Sequence, residues 1–196
     1  MMEFHHIQGS LRNPFFSIRQ KILLSETVQN MKELEEIVER LRLEPHPEGG
    51  FFRETYRSGE TFAADALPDR FSGDRAFSTA IYYLLGPGDF SGFHRIRSDE
   101  TWHFYRGDGL VVHMLAEGGS YERFVLGADP DRGEVFQATV KAGRWFASEP
   151  LQKDGYALVG CTVSPGFDFR DFEMADADTL LAGWPLQGEL IGRLCR

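Results

Sequence analysis

The sequence predicts one all-β domain, a sandwich or barrel, and three observations lead there. Short runs rich in aromatic and β-branched residues follow one another through the middle of the chain, separated by glycine-rich turns. Aromatic residues make up 13% of the 196 positions, with 17 Phe, a load that suits the space between two facing sheets. No internal repeat or low-complexity tract interrupts the series.

Residues 1–30 show no sustained hydrophobic period and carry a net charge of +1 against −10 for the rest. They are expected to be a disordered arm or the product of a start codon placed too early, with Met31 as the true start. Residues 31–43 predict a helix. Leu34, Ile37, Val38 and Leu41 recur at helical spacing, with Glu and Arg opposite, and Pro45 and Pro47 end it.

Strands follow. Phe51 to Arg57 alternates aromatic and charged residues, and Phe77 to Leu85 is dense in β-formers. Thr101 to Tyr105 and Leu110 to Leu115 flank Arg106-Gly107-Asp108-Gly109, which reads as a hairpin turn. A hairpin closing there opposes Trp102 to His113. It puts Glu100, Trp102, Phe104 and His113 on one face and His103 on the other. Tyr121 to Leu126 follows the turn at residues 117–120, and Glu134 to Val140, Arg144 to Ala147 and Tyr156 to Ser164 complete the series. From Ala177 the chain is expected to be partly helical, interrupted at Pro185. The whole reads as a single domain over residues 31–196, with a barrel core at about 45–172.

The net charge of −9 repels phosphate backbones, so no nucleic-acid partner is expected. Two cysteines, Cys161 and Cys195, with no CxxC pair, argue against a zinc knuckle or a disulfide framework and fit a reducing cytoplasm. No apolar run approaches the roughly 20 residues of a membrane span. Ile22-Leu23-Leu24 is too short for a signal-peptide core. The expectation is a cytoplasmic domain with no membrane partner.

The densest polar cluster runs from Gly92 to Gly107. Its His94, Glu100 and Gly107 stand at the spacing of the first cupin motif, with Ile96 where that motif has a second His. The second motif would fall at Lys141 to Phe146, with Phe146 in the place of its metal-binding His. Three longer strings, LEPHPEGGFFRETYRS, FHRIRSDETWHFYRGDG and GCTVSPGFDFRDFE, resemble a small cupin family catalogued as a domain of unknown function. Its members are similar in shape to dTDP-4-dehydrorhamnose 3,5-epimerase. The resemblance implies a double-stranded β-helix, or cupin jelly roll, usually dimeric, with a pocket in the barrel mouth and no settled activity.

The same resemblance implies a role for His94, since Gly92-Phe93-His94 matches the epimerases' general-base segment. Imidazole suits proton abstraction beside a carbonyl, its unperturbed pKa of about 6.5 lying near working pH. Glu100 or Asp168 could orient the ring, and Tyr82 or Tyr105 could return a proton. The alternative is a hydrogen-bonded structural histidine at the barrel rim. Gly49 to Tyr56 resembles the strand with which the epimerases help a partner subunit bind nucleotide-sugar. Phe52, Arg53 and Glu54 are therefore either ligand contacts or an edge strand that packs and faces water. Trp102 and Trp145 could line an apolar pocket, and His103 or His113 could replace a lost ligand. His46, between two prolines, is either a rim group or an exposed loop residue.

No cofactor is expected. A divalent metal, if bound, would rest on His94 and Glu100, short of the roughly four protein ligands a metal cupin needs. The leading functional expectation is a small-molecule-binding cupin, an isomerase or epimerase acting without metal on a sugar-like or nucleotide-sugar substrate, assembled as a homodimer. The alternatives are a non-catalytic ligand-binding cupin and a metal-dependent oxygenase.

Overall fold

Two antiparallel sheets face each other across an aromatic core in the computed structural model, which describes residues 31–196. The expectation for residues 1–30 lies outside the described residues. The strands are β1 (Glu44–Pro45), β2 (Phe51–Arg57), β3 (Thr61–Phe62), β4 (Arg75–Ala76), β5 (Thr79–Leu85), β6 (Ser91–Arg95), β7 (Asp99–Gly107), β8 (Leu110–Leu115), β9 (Tyr121–Leu126), β10 (Gln137–Val140), β11 (Trp145–Pro150), β12 (Ala157–Ser164) and β13 (Glu173–Met174). One sheet has the order β1-β2-β5-β12-β7-β10 and the other β13-β6-β11-β8-β9, with β3 and β4 forming a separate pair. This is an all-β jelly roll, as the sequence predicts.

Alternation along the strands builds three apolar layers. Tyr83, Leu85, Trp102, Val112, Met114, Phe146 and Val159 are buried between the sheets. The outer face of the first sheet is covered by a helix, α1 (residues 31–41), whose Leu34 and Ile37 meet Leu84 and Tyr156. The outer face of the second is covered by α2 (Ala177–Gly183) and α3 (Gly188–Leu194), where Leu180 and Ile191 bury against Phe93, Leu115 and Ala147. Among the described residues, no helix is long and apolar enough to cross a membrane.

The first helix stops two residues before the expected end. Arg42 takes a left-handed φ of 52°, and the Leu43 amide then bonds the Val38 carbonyl at 2.9 Å, so the helix closes before Pro45 acts. A larger correction concerns the segment after β7. The turn forms, with positive φ at Gly107 and Gly109, but β7 and β8 do not pair. The chain passes at this corner from one sheet to the other. A Cβ on Gly107 would lie 2.1 Å from the Tyr156 carbonyl oxygen, so the corner needs glycine for space as well as for φ. Trp102 therefore opposes Ala138 and Cys161, whereas His113 opposes Ala147 and Arg123.

Candidate functional site

One end of the barrel encloses a cavity of about 290 Å³. Inward positions supply most of its wall: Phe52 and Glu54 from β2, Thr79 and Ile81 from β5, His94 from β6, Glu100 from β7, and Cys161 and Val163 from β12. His46 and Glu48 enter from the loop before β2. Phe167, Asp168, Phe169 and Phe172, between β12 and β13, form the rim. The sequence expectations for His94, Glu100, Phe52, Glu54 and Asp168 thus fall on one cavity.

His94 is almost wholly buried and both ring nitrogens are engaged. Nδ1 donates to the Gly92 carbonyl at 2.7 Å, and Nε2 lies 3.1 Å from Glu48 Oε2. A backbone acceptor at Nδ1 fixes the tautomer, so a proton shared between Nε2 and Glu48 completes the pair. The orienting carboxylate is therefore Glu48 and not Glu100 or Asp168. The ring also lies against Phe146 (centroids 4.1 Å) and Phe172 (5.3 Å).

His46 presents the opposite polarity. Its Nδ1 accepts from the Glu48 amide at 3.3 Å, so the neutral ring carries its proton on Nε2. Burial, foremost, lowers its pKa and favours that neutral form. The rings of Phe52, at 4.5 Å, and Tyr83, at 5.8 Å, hold it edge-on.

Glu100 is enclosed between the sheets. Burial, and then the charge of Glu48, push its pKa up to about 8, against a hydrogen bond with the Cys161 thiol that lowers it. It therefore holds a proton at neutral pH, while burial and Glu100 keep the Cys161 thiol protonated as well. The raised pKa has a consequence for stability. The native state binds this proton more tightly than the unfolded chain, so the contribution is full below the ordinary glutamate pKa and fades as pH rises toward about 8. The thermal midpoint is expected to fall between about pH 5 and 8, and to fall less in Glu100→Gln, whose amide does not ionise. Parallel midpoint curves for the two proteins would contradict the assignment.

Seven expected site residues lie elsewhere, Tyr105 among them beside Tyr82. Tyr82 points to the outer face of the first sheet, edge-on to Tyr105 at 5.9 Å, because it alternates with Ile81 and Tyr83. Arg53 also points outward and donates to the Leu41 carbonyl at 3.0 Å. His103 is on that outer face too, 3.1 Å from Thr162 Oγ1. Trp102 fills the core below the cavity against Tyr83 and Phe146. Trp145 packs beneath the C-terminal helices with the Arg95 guanidinium over its ring at 4.4 Å. His113 sits on the outer side of the second sheet, bonded to Tyr121 Oη at 2.7 Å and Glu149 Oε1 at 3.1 Å.

The metal expected of many cupins does not fit these side chains. Ile96 lines the cavity where a second imidazole is needed, and the Phe146 ring covers His94 where a third would stand. Among the described residues, no group of three or more His, Cys, Asp or Glu side chains is gathered so as to hold a metal ion.

A jelly roll with a histidine and carboxyl groups turned into one mouth describes a cupin barrel. The chain belongs to the cupin superfamily, in the family catalogued as DUF985, whose model matches residues 35–175. It is 35% identical over 147 residues to the uncharacterized protein YML079W of Saccharomyces cerevisiae, covering 70% of this chain and 73% of that one. Among solved structures it is similar to protein SO0799 of Shewanella oneidensis, with 39% identity and a TM-score of 0.74 over 83% of this chain and 96% of that one. A hypothetical protein from Leishmania major gives 35% identity and a TM-score of 0.73 over 82% and 97%. None of these names carries an activity.

Proposed function

We propose that this protein is a small-molecule-binding cupin that moves a proton beside a carbonyl group, an isomerase or epimerase for a sugar-like substrate that works without a metal. The observation that supports this most is the His94–Glu48 pair, buried, held by the Gly92 carbonyl and lining an aromatic cavity that also contains a protonated carboxyl. Such a site separates a base from an acid by environment.

With the shared proton held on His94 Nε2, the Glu48 carboxylate takes the proton from the carbon next to the carbonyl, and the C–H electrons move onto the carbonyl oxygen as an enolate. Glu100, protonated, is the group that can donate to that oxygen. Return of a proton to the carbon, from the same or the opposite side, regenerates the carbonyl and gives isomer or epimer. Atoms and charge balance with no further reactant, and the buried surroundings strengthen each of these electrostatic interactions.

The test is exchange with solvent. Keto sugars incubated with the protein in D2O are expected to lose the proton signal next to the carbonyl, at a rate proportional to protein concentration. Ligand binding without any such exchange would sink the isomerase reading and leave a carrier or sensor of small molecules.

A further inference from the structure

We propose that the cavity takes an uncharged carbonyl compound of monosaccharide size and rejects ligands bearing phosphate or carboxylate, nucleotide-linked sugars included. The inference deepens the reading of this cavity as the functional site. It rests on where the charges of the mouth are spent.

Among the described residues lining the cavity, Arg57 is the one permanent cation, and all three of its nitrogens already donate within the protein. Its Nε and Nη2 donate to the two oxygens of Glu54 at 3.0 and 2.6 Å, and Nη1 donates to the Phe167 carbonyl at 3.1 Å. Two flanking cations are closed in the same way. Arg170 grips both oxygens of Asp168 at 2.9 and 2.7 Å, and Arg75 grips both oxygens of Asp171 at 2.7 and 2.6 Å. Arg53, the guanidinium that a phosphate would otherwise meet on β2, is on the far side of the sheet. A bidentate guanidinium–carboxylate pair has little left to offer a phosphate.

The interior repels anions for a second reason. Glu48 and Glu100 both line it, and the charge of one already disfavours ionisation of the other. A bound phosphate would set further negative charge beside Glu48, where there is little water to screen it. What the interior does offer is neutral. His46 presents an Nε2–H, Glu100 a carboxyl O–H, and Thr79 a hydroxyl, with the rings of Phe52, Phe167 and Phe172 around them. Neutral donors among aromatic faces match the hydroxyls, carbonyl and C–H face of a sugar ring. The volume agrees: about 290 Å³ lies just below the range of ligand pockets, roughly 300–1,000 Å³.

The experiment titrates the protein with free ketohexoses, the corresponding sugar phosphates and a dTDP-linked sugar, following the ring-proton NMR signals of His46 and His94. Free sugars are expected to shift those signals and to bind at least about tenfold more tightly than their phosphates, the discrimination expected of like-charge repulsion. Glu54→Gln, which releases Arg57, is expected to narrow that gap by strengthening binding of the sugar phosphate. Tighter binding of the phosphorylated or nucleotide-linked forms by the unaltered protein overturns the proposal, as does binding of neither class at these signals. Neutral-sugar binding without solvent exchange would leave this inference standing while removing the isomerase reading.

Discussion

Replacing His94 by Gln is expected to lower turnover by about two to four orders of magnitude while the fold and ligand affinity persist. Gln is close in length to His and can still donate to a backbone carbonyl or to Glu48. It cannot carry the positive charge that lets the His94–Glu48 pair share a proton over 3.1 Å. Loss of charge without loss of shape isolates the proton-transfer role from the packing role. The pair acts as a unit, so Glu48→Gln should lower turnover comparably and the double variant should be no worse than either single one. Solvent exchange measured beside a thermal midpoint reads both quantities. A His94→Gln protein that keeps the full exchange rate would place the chemistry elsewhere.

The second large effect is on stability. Arg75→Ala is expected to destabilise the protein by about 3–5 kcal/mol, because it leaves a buried carboxylate without its partner. Arg75 and Asp171 side chains are 1% and 3% exposed, and the bidentate contact between them joins β4 to the rim segment. Nη1 of Arg75 also donates to the Gly73 and Asp74 carbonyls at 2.9 Å, so the same substitution frees a turn. The pair replaced together, Arg75→Met with Asp171→Leu, should lose less than Arg75→Ala alone, since no unpaired charge remains. Denaturant midpoints distinguish these cases. An unchanged midpoint in Arg75→Ala would mean that the rim is held by its aromatic contacts instead.

The longer strands were legible because alternation and turn chemistry are local, whereas β6, which carries His94, and the two-residue strands β1, β3, β4 and β13 were not among those expected. Thr79 to Leu85 and Ala157 to Ser164 each point every second side chain inward, and both were readable from their composition. The face reading set Glu100 and His103 on opposite faces, as alternation along one strand requires, but left open which of His103 and His113 meets the pocket. It failed for His113, because Gly107 to Gly109 looks the same in sequence whether the chain doubles back or crosses to the other sheet. Tyr82 failed for a simpler reason: its neighbours Ile81 and Tyr83 take the inward positions. Glu48, which bonds the central histidine, was missed because it precedes the first long strand in a loop with no period. The nearest signal was His46-Pro47-Glu48, two titratable residues beside a proline, followed by two glycines with positive φ that bring the loop over the barrel. Cys161 was noted for its compartment and not for its place beside Glu100, a contact between strands that no spacing along one segment encodes.

Phe146 stands across from His94 in the register of β11 and β6, and its ring meets Trp102, which in turn meets Tyr83. These three rings stopper the barrel below the cavity. Among the described residues the cavity is therefore shaped as a cup and not a tube, with Phe167 to Phe172 at its rim. In the proposed reaction substrate and product share that rim. For a reaction that only relocates a proton, the two molecules are nearly the same shape and compete for the same berth. Each then inhibits binding of the other competitively, while the net direction follows, as for any catalyst, from their concentrations relative to equilibrium.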